Sequence, residues 1–138
     1  TLVSVPGASD TFREGFITYS NDAKIERLGV LRETLEAHGA VSAEVCVEMA
    51  RGGRERAGVD FALSTTGIAG PAGAVPGKPV GQCFIGLAGP GETYCRGFQF
   101  VGDREMVRLR AAYNAIDMLR LALLGEEERL APYRAGCA

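Results

Sequence analysis

Apolar and polar positions change their period several times along the chain, and each change marks an element. Residues 15–19 (Gly-Phe-Ile-Thr-Tyr) are a compact run rich in β-branched and aromatic side chains, as in a short strand. Behind it Asn21 offers an N-cap, Asp22 suits a first turn, and Gly29 stops a short helix that carries Lys24. From Ser42, which can cap the next helix, the spacing becomes helical. Val45, Met49 and Gly53, with Cys46, Ala50 and Ala57, recur at the interval of one buried face, and Gly58 ends the helix. Gly52-Gly53 weakens that helix's interior, which the close packing of another backbone would explain.

Residues 60–66 return to a strand pattern, apolar until Ser64-Thr65-Thr66. Residues 80–88 are nearly all apolar, as a strand covered on both faces should be. Gly89-Pro90-Gly91 turns the chain directly into residues 92–100, so the two strands are antiparallel. There Tyr94, Arg96, Phe98 and Phe100 alternate with Thr93, Cys95, Gly97 and Gln99, the period of a half-exposed edge strand. Asp103 caps a last long helix with two apolar rows: Val107, Ala111, Ala115, Met118 and Ala122, then Ala112, Ile116, Leu119 and Leu123. Gly125 ends it. Residues 1–14 read as a turn-rich entry and residues 126–138 as a polar, loosely packed tail.

Strand, helix, strand, hairpin and helix in that order predict an α/β fold, a mixed sheet layered with helices. Ligands in such sheets sit where strand ends open into loops. Two predicted strands end in polar clusters, Tyr19-Ser20-Asn21 and Ser64-Thr65-Thr66-Gly67, and this topology places them together.

Composition narrows the class. The 138 residues, 46% hydrophobic and 23% charged with a net charge of −2, suit one soluble globular domain with a single core. No apolar run approaches the roughly 18 residues that span a bilayer, and no signal-peptide pattern appears. The balanced charge argues against a nucleic-acid surface, and the cytoplasm is the default compartment. Cys46, Cys83, Cys95 and Cys137 are too widely spaced for a zinc site or a disulfide framework, so they read as small buried or incidental thiols. His38, before Gly39, reads as a turn residue. The chain opens on Thr1-Leu2-Val3 without a methionine, so a segment upstream is expected. Only Lys24 and Lys78 of its fifteen basic residues are lysines, which singles each of them out.

Three features could carry chemistry. The stretch LSTTGIAGPAGAVPGKPVG at residues 63–81 is not a phosphate loop, because Gly77-Lys78 runs into Pro79 and a strand rather than a helix. Its opening, Thr66-Gly67-Ile68-Ala69-Gly70-Pro71, could turn successive amides toward an anion or an oxyanion, while composition alone sides with a plain connector. Lys24, one helical turn past a strand end, is either a desolvated amine with a lowered pKa or an ordinary solvated lysine. Arg104, just inside a helix N-terminus where a cation is unfavourable, is either an anion ligand or a surface arginine.

Five runs then stand in one order: Tyr19-Ser20-Asn21-Asp22-Ala23-Lys24, Gly39-Ala40-Val41-Ser42, Thr66-Gly67-Ile68-Ala69-Gly70-Pro71, Lys78-Pro79-Val80-Gly81 and Gly102-Asp103-Arg104. In order and spacing they resemble the CinA C-terminal domain, from about Val5 to Leu124. The resemblance implies a three-layer α/β/α sandwich, here a single domain over residues 1–138 that lacks the family's first strand and helix. It implies nicotinamide mononucleotide amidohydrolysis, giving nicotinate mononucleotide and ammonia, with no metal or organic cofactor. The family's serine nucleophile lies in an ESCTGG-like motif, which would precede Thr1; Ser4, Ser9 and Ser20 stand in no such motif. Carried over by motif, Lys24 would activate that serine and Tyr19 would assist proton transfer. Thr66 with Gly67, Ala69 and Gly70 would bind the substrate or oxyanion, with Asn21 a further substrate contact and Arg104 holding the nucleotide's charged part. This is the Ser–Lys variant of amide hydrolysis.

The alternative is a non-catalytic CinA-like module that binds a nucleotide or a protein; a structural fragment with an incomplete sheet is a third reading. The expected partner is a small-molecule nucleotide, with neither nucleic acid nor membrane. The edge strand and the apolar long helix suit a homodimer.

Overall fold

The computed structural model describes residues 2–135, with the backbone alone at Glu127. Its main elements are α1 (Asn21–Leu28), α2 (Arg32–His38), α3 (Ala43–Ala57), β1 (Ala62–Gly67), β2 (Gln82–Ala88), β3 (Thr93–Gln99), α4 (Arg104–Leu123) and α5 (Glu127–Leu130). The polar residues that begin these helices act as anticipated at two of them. The Ser42 hydroxyl accepts from Val45 N and the Asp103 carboxylate from Met106 N. At α1 the cap is one residue earlier than expected. Ser20 has the extended backbone of a cap and accepts from Ala23 N, which leaves Asn21 as the first helical residue. Helix α2 has no sequence signature because its cap residue is Leu31. Glu48 of α3 supplies the missing acceptor, taking hydrogen bonds from Leu31 N at 2.8 Å and Thr34 Oγ1 at 2.7 Å.

The strands pair in the order β1-β2-β3, antiparallel throughout among the described residues. The α/β class and the expected C-terminal hairpin stand, and β1 joins the hairpin's other edge. Residues 15–19 differ from expectation. They alternate in burial, with Thr18 buried while Ile17 and Tyr19 are 94% and 86% exposed, yet they join no ladder among the described residues. Strand propensity expresses a fit to neighbouring strands, and here the alternation has no partner to pair with. The mixed pairing expected from a parallel first strand is therefore not part of this sheet, and the two polar clusters do not end neighbouring strands.

Helices cover both faces of the sheet. Toward α4 point Leu63, Ile85, Leu87 and Tyr94, which meet Ala111, Ala115, Met118 and Leu121 in the main core. Fully burying a side chain such as Ile85 or Leu87 contributes roughly 1.5–3 kcal/mol. Toward α3 the positions are small or polar. A Cβ on Gly86 would lie 2.5 Å from Ser64 Oγ and 3.0 Å from the Cys46 carbonyl, so only glycine lets α3 approach there. Gly52 has the same role toward α1, since its Cβ would lie 1.7 Å from the Leu28 carbonyl oxygen. That close approach accounts for the glycines inside α3.

A second cluster, Leu28, Val30, Leu35 and Val45, ties α1 and α2 to α3, with Phe16, Ile25 and Ala40 packed against it. The tail corrects another expectation. Leu130 is 1% exposed and belongs to the main core, and Ala135 N donates to Thr93 O at 2.7 Å. One leucine with deep apolar contact anchors an otherwise polar segment. Cys46 and Cys83 are buried free thiols and Cys95 is half-buried; Cys137 lies outside the described residues.

Candidate functional site

Lys24 is held where its sequence position suggested, in the first turn of α1, but against an unpaired segment rather than a sheet edge. Its side chain folds back and is only 7% exposed. The amine donates to the carbonyls of Thr18 at 2.8 Å and Tyr19 at 3.4 Å. No carboxylate pairs with it among the described residues, so burial is uncompensated and pushes its pKa below the ordinary lysine value. Such an amine is more easily neutral than a surface lysine and then offers a lone pair. Tyr19 contributes its carbonyl here while its ring faces solvent, and Asn21 is exposed at the helix start.

Thr66 lies at the end of β1 on the α3 side and is buried. Its hydroxyl donates to Ala40 O at 2.7 Å. The segment joining α2 to α3 is clamped at two further points: Ser42 Oγ donates to Gly39 O at 2.9 Å, and Lys78 Nζ donates to His38 O. Gly39 itself has φ +71, a backbone conformation that favours glycine. The sequence marked Lys78 only by rarity and by its Lys-Pro-Val-Gly run; its partner lies forty residues away, a pairing no local pattern reveals.

The glycine loop leaves β1 at Gly67, still paired with Cys83. Ile68 N donates to Gln82 O and Ile68 O accepts from Gly81 N, so the ladder continues one residue beyond the strand. The amides of Ala69 and Gly70 then make no hydrogen bond among the described residues. Gly70 is buried, has φ +80, and would drive a Cβ to 2.6 Å from Val80 Cγ1, so glycine alone fits. Arg104, the first residue of α4, reaches across and donates from Nη1 to Gly70 O at 3.0 Å. It holds the loop from a position where a cation gains nothing from the helix.

Lys24, Lys78 and Arg104 each bond to backbone carbonyls, and none forms an ion pair among the described residues. Ala40 and Ile25 pack on the same small cluster, which connects the Lys24 helix to the segment held by Thr66. The structure thus groups Lys24 with residues 18–19, and Thr66 with residues 38–42 and Lys78. Ala69, Gly70 and Arg104 form a third set beside them. Among the described residues no hydrogen bond joins Lys24 to Thr66.

Comparison with known proteins agrees with the motif runs. The sequence matches the family profile described as CinA C-terminal domain over residues 1–123. CinA-like proteins of Kosmotoga olearia and Geotalea daltonii are each 52% identical over 123 residues, which is 89% of this chain and 30% of theirs. The chain therefore spans less than a third of the length of the curated relatives it matches. Among solved structures, the competence/damage inducible protein CihA from Agrobacterium tumefaciens is similar with a TM-score of 0.84 at 38% identity, over 86% of this chain and 73% of its own. The competence or damage-inducible protein from Enterobacter asburiae gives 0.85 at 33% identity, over 88% and 77%. With the profile running through every motif that carries the resemblance, the chain belongs to the CinA C-terminal domain family.

Proposed function

We propose that this domain is the substrate-handling part of a nicotinamide mononucleotide amidohydrolase working by Ser–Lys chemistry, its serine supplied by a segment preceding Thr1. The observation that carries the reading is Lys24: a buried amine, facing only carbonyls, with its pKa lowered by desolvation. In this mechanism neutral Lys24 takes the serine proton as the oxygen attacks the carboxamide carbon. The amides of Ala69 and Gly70 take up the developing oxyanion, and Thr66 and Gly67 line the substrate beside them. The protonated lysine, helped by Tyr19, returns the proton to the leaving nitrogen as the C–N bond breaks and ammonia departs. Water activated by the same lysine then attacks the acyl-enzyme and frees the carboxylate. Lys78 and Arg104 form no ion pair among the described residues, so their charge suits a nucleotide's phosphate, and Asn21 adds a polar contact. No helix is long and apolar enough to cross a membrane, among the described residues. A cytoplasmic homodimer, joined through the exposed Leu109, Tyr113 and Leu123 of α4, completes the proposal.

The test is ammonia release from nicotinamide mononucleotide by the protein with its upstream segment. Lys24→Ala should lower kcat by about 100-fold or more. The wild-type rate should fall on acidification through the lowered lysine pKa, because only the neutral amine accepts the proton. Unchanged turnover in the variant would remove the Ser–Lys assignment. A second reading, a nucleotide-binding module without catalysis, draws on the same hydrogen bonds, since Thr66, Lys78 and Arg104 all brace backbone. Calorimetry separates the two: that reading predicts nucleotide binding with no product formed.

A further inference from the structure

The main core has a second opening, far from the glycine loop along the sequence. A cleft of about 260 Å³ lies between β3, α4 and the tail. Its apolar lining is Met118, Leu121 and Leu130, and Phe98 and Tyr133 add aromatic walls. Arg129, Leu130 and Tyr133 lie beyond residue 123, where the family match ends, so three of the nine lining residues belong to this chain's tail.

Arg96 is the polar feature of the cleft. Its guanidinium stands 4.7 Å from the Phe98 ring centroid and 4.6 Å from that of Tyr133. Contact with two rings confines the guanidinium carbon, and the N–H donors around it remain available to an anion. Arg96 forms no ion pair among the described residues. The other charged lining groups are already matched, Asp117 with Arg120 at 2.8 Å and Arg129 with Glu126 at 2.7 Å. Asn114 Nδ2 donates to the Arg110 carbonyl at 2.9 Å. The cleft therefore combines a cation held between two rings, without an ion pair among the described residues, with an apolar floor too small for a nucleotide.

We propose that this cleft binds a small amphipathic monocarboxylate, about one ring in size, with its carboxylate forked on Arg96 and its apolar body against Leu121 and Leu130. Geometry supports the charge and the size together: a guanidinium confined by two rings keeps its donors available to a carboxylate, and a volume just under the usual range for ligand pockets admits a single ring.

Benzoate is the probe, followed by NMR titration of the whole protein, with its uncharged isostere benzamide as the control. Saturable shifts centred on Leu121, Leu130 and Tyr133 are expected with benzoate, and binding of benzamide about tenfold weaker or more. Arg96→Lys keeps the charge but loses the fork, and should weaken benzoate by about tenfold. Arg96→Met should abolish the difference between the two probes. Absence of saturable shifts at these residues, or equal affinity for benzoate and benzamide in the wild type, overturns the proposal without reliance on any variant's folding.

Discussion

The two faces of the sheet are built on different principles. The α4 face is filled by volume: Ile85 and Leu87 are wholly buried among Tyr94, Met118, Leu121 and Leu130. The α3 face is built on closeness. Gly86 admits the α3 backbone, Ser64 Oγ donates to the Cys46 carbonyl at 2.7 Å, and Arg51 Nε donates to Thr93 Oγ1 at 3.1 Å. The Cys46 thiol is held protonated by its hydrogen bond with Cys95 and then by burial. The same face leads, through Thr66 and the second cluster, to every residue of the candidate site except Arg104 and the loop it holds. One face supplies generic apolar stabilisation; the other fixes the backbone positions on which the site depends.

That contrast can be broken most forcefully at Gly52. An added methyl would meet the Leu28 carbonyl at 1.7 Å, and backbone cannot yield as a side-chain tip does. Gly52→Ala should lose about 3 kcal/mol or more, at or above the ordinary range for overpacking. The denaturation midpoint would show this loss. Because Leu28 ends the helix that carries Lys24, the folded variant should also lose amide protection across residues 18–28. Leu87→Ala comes next. It should cost about 3 kcal/mol through lost burial and a residual cavity, yet leave protection at Lys24 unchanged in the folded molecule. Equal loss of protection at Lys24 in both variants would mean that the faces are not separate in the way proposed.

The α4 face was legible in the sequence because its residues follow one period and one chemistry. Val107, Ala111, Ala115 and Met118 were placed by spacing alone, and they are buried. Ser42, Asp103, Gly29 and Gly58 were legible as stops and caps because each acts on its own neighbours. What escaped was tertiary in origin. Helix α2 begins on Leu31 and depends on Glu48 from another helix. Residues 15–19 have the composition of a strand, but pairing is decided elsewhere in the molecule. Leu130 stood alone in a polar tail, where a single apolar residue has no period to reveal it. At the candidate site the motif runs named Lys24, Thr66 and Arg104. Their hydrogen bonds, each to a carbonyl contributed by another segment or turn, are visible only in the fold.

The smallest expected effect discriminates most finely between the two faces. Ser64 is buried beside Gly86, and its Oγ both donates to Cys46 O and lies 3.2 Å from Cys46 Sγ. Ser64→Ala removes one oxygen with little change of volume, so it deletes the hydrogen bond while leaving the packing nearly intact. The Cys46 carbonyl lies within α3 and keeps its place in the helical ladder, which limits the penalty to about 1 kcal/mol, the ordinary net value of one such bond. Urea denaturation would read this as a lower midpoint at unchanged slope. A loss as large as that of Leu87→Ala would show that the α3 face also depends on filled volume. A loss of about 1 kcal/mol that persists in a Cys46→Ala background, which keeps the carbonyl, would assign it to the bond with the α3 backbone, and would make closeness, rather than apolar bulk, what holds α3 to the sheet.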